Sequence, residues 1–363
     1  MASINSWLTS SHKTRWILGD QELEKRRAAC YEKSLGEIER YKPESASTSA
    51  ADNLAVAVSL EEQKQLLSYY EKTLSKICSL FRMPRKILAI SIVYLKRFYL
   101  KFTVLDHEPW RIMVTCVYLA CKVENAYLAA EELAKGVQQD ARVVEKIVLG
   151  SEMTLLQGLD FDLVVHTPYA SLRGFLYELE NCCQFEGWDP DRAETLSSAL
   201  RKRANKSLDA LLFSDAPLTF SPGILAYAAL QVAAKKMEGE DKQMVESFFG
   251  HCRSKAGNTE KLAEFVKKVH KLGARGSASL ADEGVLKEID RKVKLCRNPV
   301  YDPTSDQYKK QQAEKQAQKL RAKANLKRSA AASDARALGL TEIAENPDSK
   351  RRKSSPTNRV VAG

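Results

Sequence analysis

The chain has 363 residues, a formal net charge of +11, and 44% hydrophobic and 28% charged residues. That balance supports a buried core, and the length is a prior for two domains or for one domain with tails. No run of eighteen apolar residues occurs, which excludes a membrane-spanning helix, and the polar start MASINSWLTSSHKTRW gives no expectation of secretion.

Residues 1–19 carry no periodic pattern and are expected to be irregular. Asp20 is expected to cap an amphipathic helix running through LEKRRAACYEKSL, with Glu22 and Glu24 in the turn where carboxylates suit the helix dipole. The Ser/Ala-rich stretch 42–59 reads as a linker, so 1–59 is an N-terminal helix and linker. From Leu60 the pattern turns helical: Leu66, Leu67, Tyr70, Leu74, Ile77, Leu80 and Phe81 recur at three- and four-residue steps. Pro84 and Pro109 are expected to open a second and a third helix. A fourth, short helix is expected to stop at Gly136. Asp140 should cap a fifth, with Val144, Ile147, Val148, Leu155 and Leu159 on one face and its end near Gly158.

The second half repeats the recipe. Thr167-Pro168, Asp189-Pro190 and Ser221-Pro222 each pair a cap with Pro at the first helical position. Two further apolar-periodic stretches surround MVESFFG and KLAEFVKKVHKL, and ADEGVLKEIDRKVKLC closes the folded region as an amphipathic helix. No strand-like alternation between hairpin turns is present, so the fold class is all-α. Pro109 and Pro222 align at an offset that lays residues 115–123 on 228–236. Cys116, Ala120, Cys121 and Lys122 then face Ala229, Ala233, Ala234 and Lys235. Small residues on every side suit a central helix packed closely all round. On this alignment alone, coincidence between two small-residue-rich helices is the alternative.

From Tyr301 onward fourteen Lys/Arg stand against seven Asp/Glu, so most of the net charge belongs to the tail rather than to the folded part. The run YKKQQAEKQAQKLRAKANLKR has few large apolar residues and reads as a solvated helix or as disordered chain. Residues 298–363 are expected to form a basic, disordered tail. Within it, Lys350, Arg351, Arg352 and Lys353 are a candidate nuclear import signal, and Ser355 before Pro356 is a candidate phosphate acceptor for a proline-directed kinase. The eight cysteines are scattered, lack C-x-x-C spacing and fit reduced thiols packed as small hydrophobes. They offer no metal site. No phosphate loop, nucleophile elbow, H-E-x-x-H motif or kinase signature appears, so no enzyme activity and no cofactor are expected.

Two charges inside helical segments are informative. Glu152 lies in line with Val148, Leu155 and Leu159, where a carboxylate is costly unless paired. Lys122 ends the small-residue helix, where a cation suits the C-terminus. From periodicity alone two arrangements stay open: charges that snorkel to water or pair internally, or a charged spot on an apolar face shaped for a partner.

YLKRFYL, followed by PWRIMVTCVYLACKVE and later by GSEMTLLQGLDFDLVVHTPY, resembles the core of a cyclin box in order and spacing. YYEKTLSKICSLF, KRFYL, LVVHTPY and SDAPLTFSPGILAYAAL resemble the cyclin H type, plant or algal sequences best, over about residues 12–297. The resemblance implies two tandem five-helix cyclin folds, at 60–165 and 166–275, flanked by the N-terminal helix and by a C-terminal helix at 276–297. It implies that Lys122 and Glu152 bind a cyclin-dependent kinase of the activating type and hold its regulatory helix in the active position. A RING-finger assembly subunit and the core of transcription factor IIH are the further partners it implies. Its implied setting is the nucleus, with roles in the cell cycle and in phosphorylation of the RNA polymerase II C-terminal repeats. Neither a membrane nor direct sequence-specific nucleic acid is implied. Asn125 departs from the family, where many cyclins carry a second Glu, and the mitotic cyclins' docking sequence Met-Arg-Ala-Ile-Leu is absent. Competing readings are a cyclin C-like subunit of the Mediator kinase and, from another class, a IIB-type transcription factor with paired cyclin folds. The IIB class usually brings a zinc ribbon that these cysteines cannot build.

Overall fold

The computed structural model describes residues 7–41, 58–126, 128–235, 237–255, 258–276 and 281–337. Among these residues every regular element is a helix, in agreement with the all-α reading. The helices are α1 (Ser11–Trp16), α2 (Asp20–Arg40), α3 (Leu60–Leu80), α4 (Arg85–Phe98), α5 (Pro109–Val123), α6 (Ala130–Gly136) and α7 (Ala141–Gly158). They continue with α8 (Pro168–Phe185), α9 (Pro190–Leu212), α10 (Ala216–Thr219), α11 (Pro222–Ala234), α12 (Gly239–Lys255), α13 (Thr259–Gly276), α14 (Glu283–Leu295) and α15 (Asp306–Ala337).

Two bundles share one plan. In the first, α5 packs against α3, α4 and α7, and α6 covers α7. In the second, α11 packs against α8, α9 and α13, and α12 lies on α8. Both central helices begin with Pro at the first turn and bury small residues: Cys116, Ala120 and Cys121 in α5, Ala228, Ala229 and Ala233 in α11. Small side chains let neighbours approach a helix from several directions, so the repeat reflects one packing solution used twice. The two cores are separate clusters of buried residues.

The N-terminal segment is more ordered than its lack of pattern implies. Six residues form α1, capped by the Ser10 hydroxyl, which accepts from the Lys13 N–H at 3.3 Å. A helix this short shows no periodicity; tertiary contact makes it. Trp16, Leu18, Leu23, Leu100 and Leu218 form a third, small cluster, and the Leu18 N–H donates to the Leu218 carbonyl at 2.8 Å. The segment thereby ties the end of α4 to α10. At α2, Gly19 rather than Asp20 holds the cap position, and Asp20 is the first helical residue.

Helix ends also differ in cause from the sequence reading. Gly136 and Gly158 are the last residues of α6 and α7, but neither supplies the left-handed turn. That turn is made by Gln138 and Asp160, at φ 54° and 51°, as it is by Arg82 after α3 and Asn125 after α5, at φ 50° and 53°. In each case the following N–H reaches back to close the last turn, as Ala126 does to the Cys121 carbonyl at 2.9 Å. The glycines serve close approach: a Cβ on Gly136 would stand 2.3 Å from the Phe81 ring, and one on Gly158 2.4 Å from Phe98.

Two buried polar clusters brace the first bundle. Lys96 Nζ lies 2.7 Å from Glu71 Oε1, with side-chain exposures of 6% and 7%. Burial pushes the Glu71 carboxyl up and the Lys96 charge offsets only part of that shift. Beside them Asp215 is held to about 2: burial pushes its carboxyl up, and Arg27, at 2.6 Å, with Lys96 and Lys64 outweighs that effect. In the second cluster Arg97 is wholly buried, donates to the Asp162 carbonyl at 3.1 Å, and stacks 5.0 Å from the Trp16 ring. Burial lowers its guanidinium to about 10, which leaves it charged at neutral pH. The Asp162 carboxylate accepts from Trp16 Nε1 at 2.8 Å and from Arg15 at 2.6 Å.

Helix α13 continues to Gly276, and α14 spans Glu283–Leu295, inside the stretch ADEGVLKEIDRKVKLC read as the closing helix, packed on α3. The tail does not begin at Asn298. That residue is fully buried and donates from Nδ2 to Glu37 at 2.9 Å and to Asp106 at 2.7 Å. Nor is the tail disordered throughout: Asp306–Ala337 is helical, because its sequence contains no Gly, Pro or β-branched residue and is rich in Ala, Gln and Lys. This helix belongs to a second compact unit, 303–363, distinct from 1–302.

Lys96→Met should destabilise the fold by about 3–5 kcal/mol, because it strands the buried Glu71 carboxylate, while Glu71→Leu/Lys96→Met should regain most of the loss; urea denaturation of both variants tests this. A second expectation concerns pH. Burial, then the charges of Arg97 and His166, lowers His12 from 6.5 to about 3. The folded chain refuses a proton that the unfolded chain accepts, so His12 contributes stability above pH 6.5 that is lost as pH falls towards 3. Denaturation curves between pH 7 and 4 should be flatter for His12→Asn than for the parent chain.

Candidate functional site

The site is built on the C-terminal turn of α5. Ten residues of this fifteen-residue helix are buried, and its charged residues are Arg111 near the start and Lys122 near the end. Asn125 terminates it in the left-handed conformation, which Asn tolerates better than a branched or bulky residue. The departure from the family pattern at Asn125 therefore has a structural account: the position is a helix stop.

Glu152 arrives from α7. The Asp140 carboxylate caps that helix, accepting from the N–H groups of Arg142 at 2.8 Å and Val143 at 3.3 Å. Val144, Val148, Ser151 and Leu155 face the core, and Glu152 lies at the margin of that face. The structure brings the two sequence-predicted residues together: Lys122 Nζ is 2.5 Å from Glu152 Oε1. The lysine side chain is 51% exposed and the glutamate 20%. The Lys122 ammonium also sits 5.5 Å from the Tyr118 ring centroid, which restrains it from a second side. A second pair, Lys86 with Glu124, ties the start of α4 to the same end of α5.

On α7 and just beyond it several apolar side chains are left uncovered. Leu149 and Met153 on α7 are 61% and 56% exposed. Just past the end of α7, Phe161 and Val164 are 59% and 61% exposed. Asp160 and Phe161 both have left-handed backbones, at φ 51° and 60°, a costly conformation for an aromatic residue. Sequence reading missed these residues, because Leu149 and Met153 look like core in an apolar helix; the one signal was that they lie off the Val144–Val148–Leu155 row.

Among the described residues no three His, Cys, Asp or Glu side chains converge to hold a metal, and no helix is long and apolar enough to cross a membrane. Burial raises the Cys78, Cys116 and Cys121 thiols away from the reactive thiolate. Lys350, Arg351, Arg352, Lys353 and Ser355 lie outside the described residues.

Comparison with known proteins bears on the same elements. The family model described as cyclin, N-terminal domain matches residues 41–164, and the cyclin C-terminal domain model matches 167–274. Cyclin-H1-1 of Arabidopsis thaliana is 32% identical over 321 residues, covering 84% of this chain and 92% of the relative. Cyclin-H of Xenopus laevis is 32% identical over 228 residues, covering 60% of this chain and 66% of the relative. The solved CAK complex of Chaetomium thermophilum bound to ATP-gamma-S contains a chain with the same fold, at a TM-score of 0.67 and 20% identity, covering 87% of this chain and 96% of that one.

An ion pair this open contributes little to folding, about 0–1 kcal/mol. Lys122→Ala/Glu152→Ala should therefore unfold within about 1 kcal/mol of the parent chain in a urea titration, which separates any loss of binding from loss of fold.

Proposed function

The chain belongs to the cyclin family, and we propose that it binds a cyclin-dependent kinase of the activating type and switches that kinase on. The observation that carries this reading is the restrained Lys122–Glu152 pair on a helix that leaves Leu149, one turn before Glu152, and Met153, next to it, exposed. Apolar area supplies association, and an oriented pair of charges fixes register and rejects wrong partners. Lys122 has donors and Glu152 an oxygen beyond those used in the pair, and these suit the backbone and side chains at the end of a partner helix.

The mechanism is allosteric. An active kinase needs the glutamate of its regulatory helix paired with its strand lysine, and an ordered activation segment. A subunit that binds this arrangement better than the inactive one shifts the population towards it. The cyclin contributes surface and no reacting group, which is why the chain acts as a regulatory subunit rather than an enzyme.

The wider assignment rests on the resemblance to the cyclin H type. The complex would include a RING-finger assembly subunit and would work within transcription factor IIH in the nucleus, on the activation segments of other cell-cycle kinases and on the polymerase C-terminal repeats. The basic cluster Lys350–Lys353 would serve import, and a phosphate on Ser355 would weaken it by adding negative charge beside it. The extent of similarity to Cyclin-H1-1, over most of both chains, favours this reading over the cyclin C alternative. The near charge balance of the folded part and the lack of a zinc ribbon disfavour a IIB-type factor.

Pull-down of the full chain from nuclear extract, with kinase identification and an activity assay, tests the proposal. An activating-type kinase should be recovered and active with the parent chain, and lost with Lys122→Ala/Glu152→Ala. Recovery of a Mediator-type kinase would move the chain to the cyclin C reading, and recovery of no kinase would overturn the function.

A further inference from the structure

We propose that α15 lies in the major groove of duplex DNA and holds it by the phosphates, without reading sequence. The helix has no role in the kinase-binding reading above. Every residue from 312 to 334 is exposed, so its face is dictated by no packing partner within its own unit. Between Lys309 and Arg328 the sequence places eight lysines and arginines against the single Glu314. A solvated helix needs mixed charge to be soluble; it does not need this excess of one sign.

The arrangement is more informative than the sum. Lys315, Lys319, Lys323 and Lys327 follow one another at four-residue steps and form one row. Lys310, Arg321 and Arg328 fall on a second row. The strip between the rows is made of Ala313, Ala317, Leu320 and Ala324, while Glu314, Gln318 and Asn325 lie behind. A helix in the major groove needs short side chains towards the groove floor and long cations reaching out to both strands. The groove is about 12 Å wide and admits an α-helix.

Other polyanions fit less well. An anionic membrane surface asks for a broad apolar face opposite the cations, and the back of α15 is polar. A groove on an acidic protein asks for apolar anchors at helical spacing, which Leu320 and Leu326 alone do not make. Single strands ask for stacking aromatics, and Tyr308 is the one aromatic side chain of the helix. The A-form major groove of duplex RNA is too narrow to receive a helix. No Asn, Gln or Arg lies on the floor strip to address base edges, so binding is independent of sequence.

The test is fluorescence anisotropy of the full chain with a labelled 30-base-pair DNA of mixed sequence. Affinity should fall linearly with salt on logarithmic axes and drop about a thousandfold between 50 and 200 mM if six or more phosphates are neutralised. Replacing Lys315, Lys319, Lys323 and Lys327 with Gln should reduce the slope by roughly 3 to 4, with helicity preserved by circular dichroism. Ala317→Glu/Ala324→Glu, on the floor, should weaken binding more than Gln318→Glu/Asn325→Glu, on the back. A scrambled duplex should bind equally, and an RNA duplex or a polyglutamate competitor should bind more weakly. The proposal is overturned if DNA is not bound, if the lysine variant binds unchanged, if both glutamate pairs act alike, or if RNA or polyglutamate binds as tightly as DNA.

Discussion

A helix enclosed on several sides can carry charge only at its ends. This constraint, imposed on α5, organises the first bundle. Its middle must be apolar because water cannot reach it, and its residues must be small where α3, α4 and α7 crowd together. Charge is then confined to the first and last turns, where Arg111 and Lys122 are found. The last turn is also where the helix dipole favours a cation and where α7 and the start of α4 bring Glu152 and Lys86 within reach. The position of the candidate site follows from how the core is packed. The second bundle obeys the same constraint with α11, whose Lys235 stands at the corresponding end.

The buried charges have a different task. Arg97 and Lys96 are neighbours in α4, a helix otherwise apolar on nearly all sides, and each must find a polar partner inside. Lys96 finds Glu71 on α3, while Arg97 finds the carbonyl of Asp162 and the face of Trp16. Charges that cannot reach water restrict the fold to arrangements that satisfy them. Trp16 belongs to the N-terminal segment and Asp162 to the connection between the bundles. One guanidinium therefore makes the docking of the N-terminus depend on a correctly folded first bundle. Asn298 does the same from the other end, since its amide bridges Glu37 on α2 and Asp106 before α5.

What could be read from the sequence was what has a period or a cap. The helices of both bundles, their proline starts and the offset between α5 and α11 all leave marks within a few residues of one another. The Lys122–Glu152 meeting was half legible: each charge interrupts an apolar pattern, but their contact spans thirty residues of chain and is a tertiary fact. Helix α1 left no mark because its stability comes from Trp16 burial. The glycines misled, since a glycine at a helix end signals a left-handed stop and here signals the nearness of Phe81 and Phe98. The exposed Phe161 was invisible because pattern says where an aromatic residue sits along the chain and not which way a left-handed backbone turns it.

On the proposed reading, a binding surface controls a kinase. To favour one kinase conformation by a large factor, the surface must bind that conformation several kcal/mol better than its competitor, and a soft surface would adapt to both. Rigidity here is inherited from burial: the two ends of the Lys122–Glu152 pair stand on α5 and α7, which are packed against each other. Tyr118 and Glu152 limit the lysine to few rotamers before any partner arrives, which lowers the entropy lost on binding. The pair is weak as a contribution to folding for the reason that makes it suitable for recognition: it stays near enough to water that a partner can complete its hydrogen bonds without first breaking a buried bridge. On the proposed reading, the strongly bound charges of Glu71, Lys96 and Arg97 fix the shape, and the loosely bound charges of Lys122 and Glu152 meet the kinase.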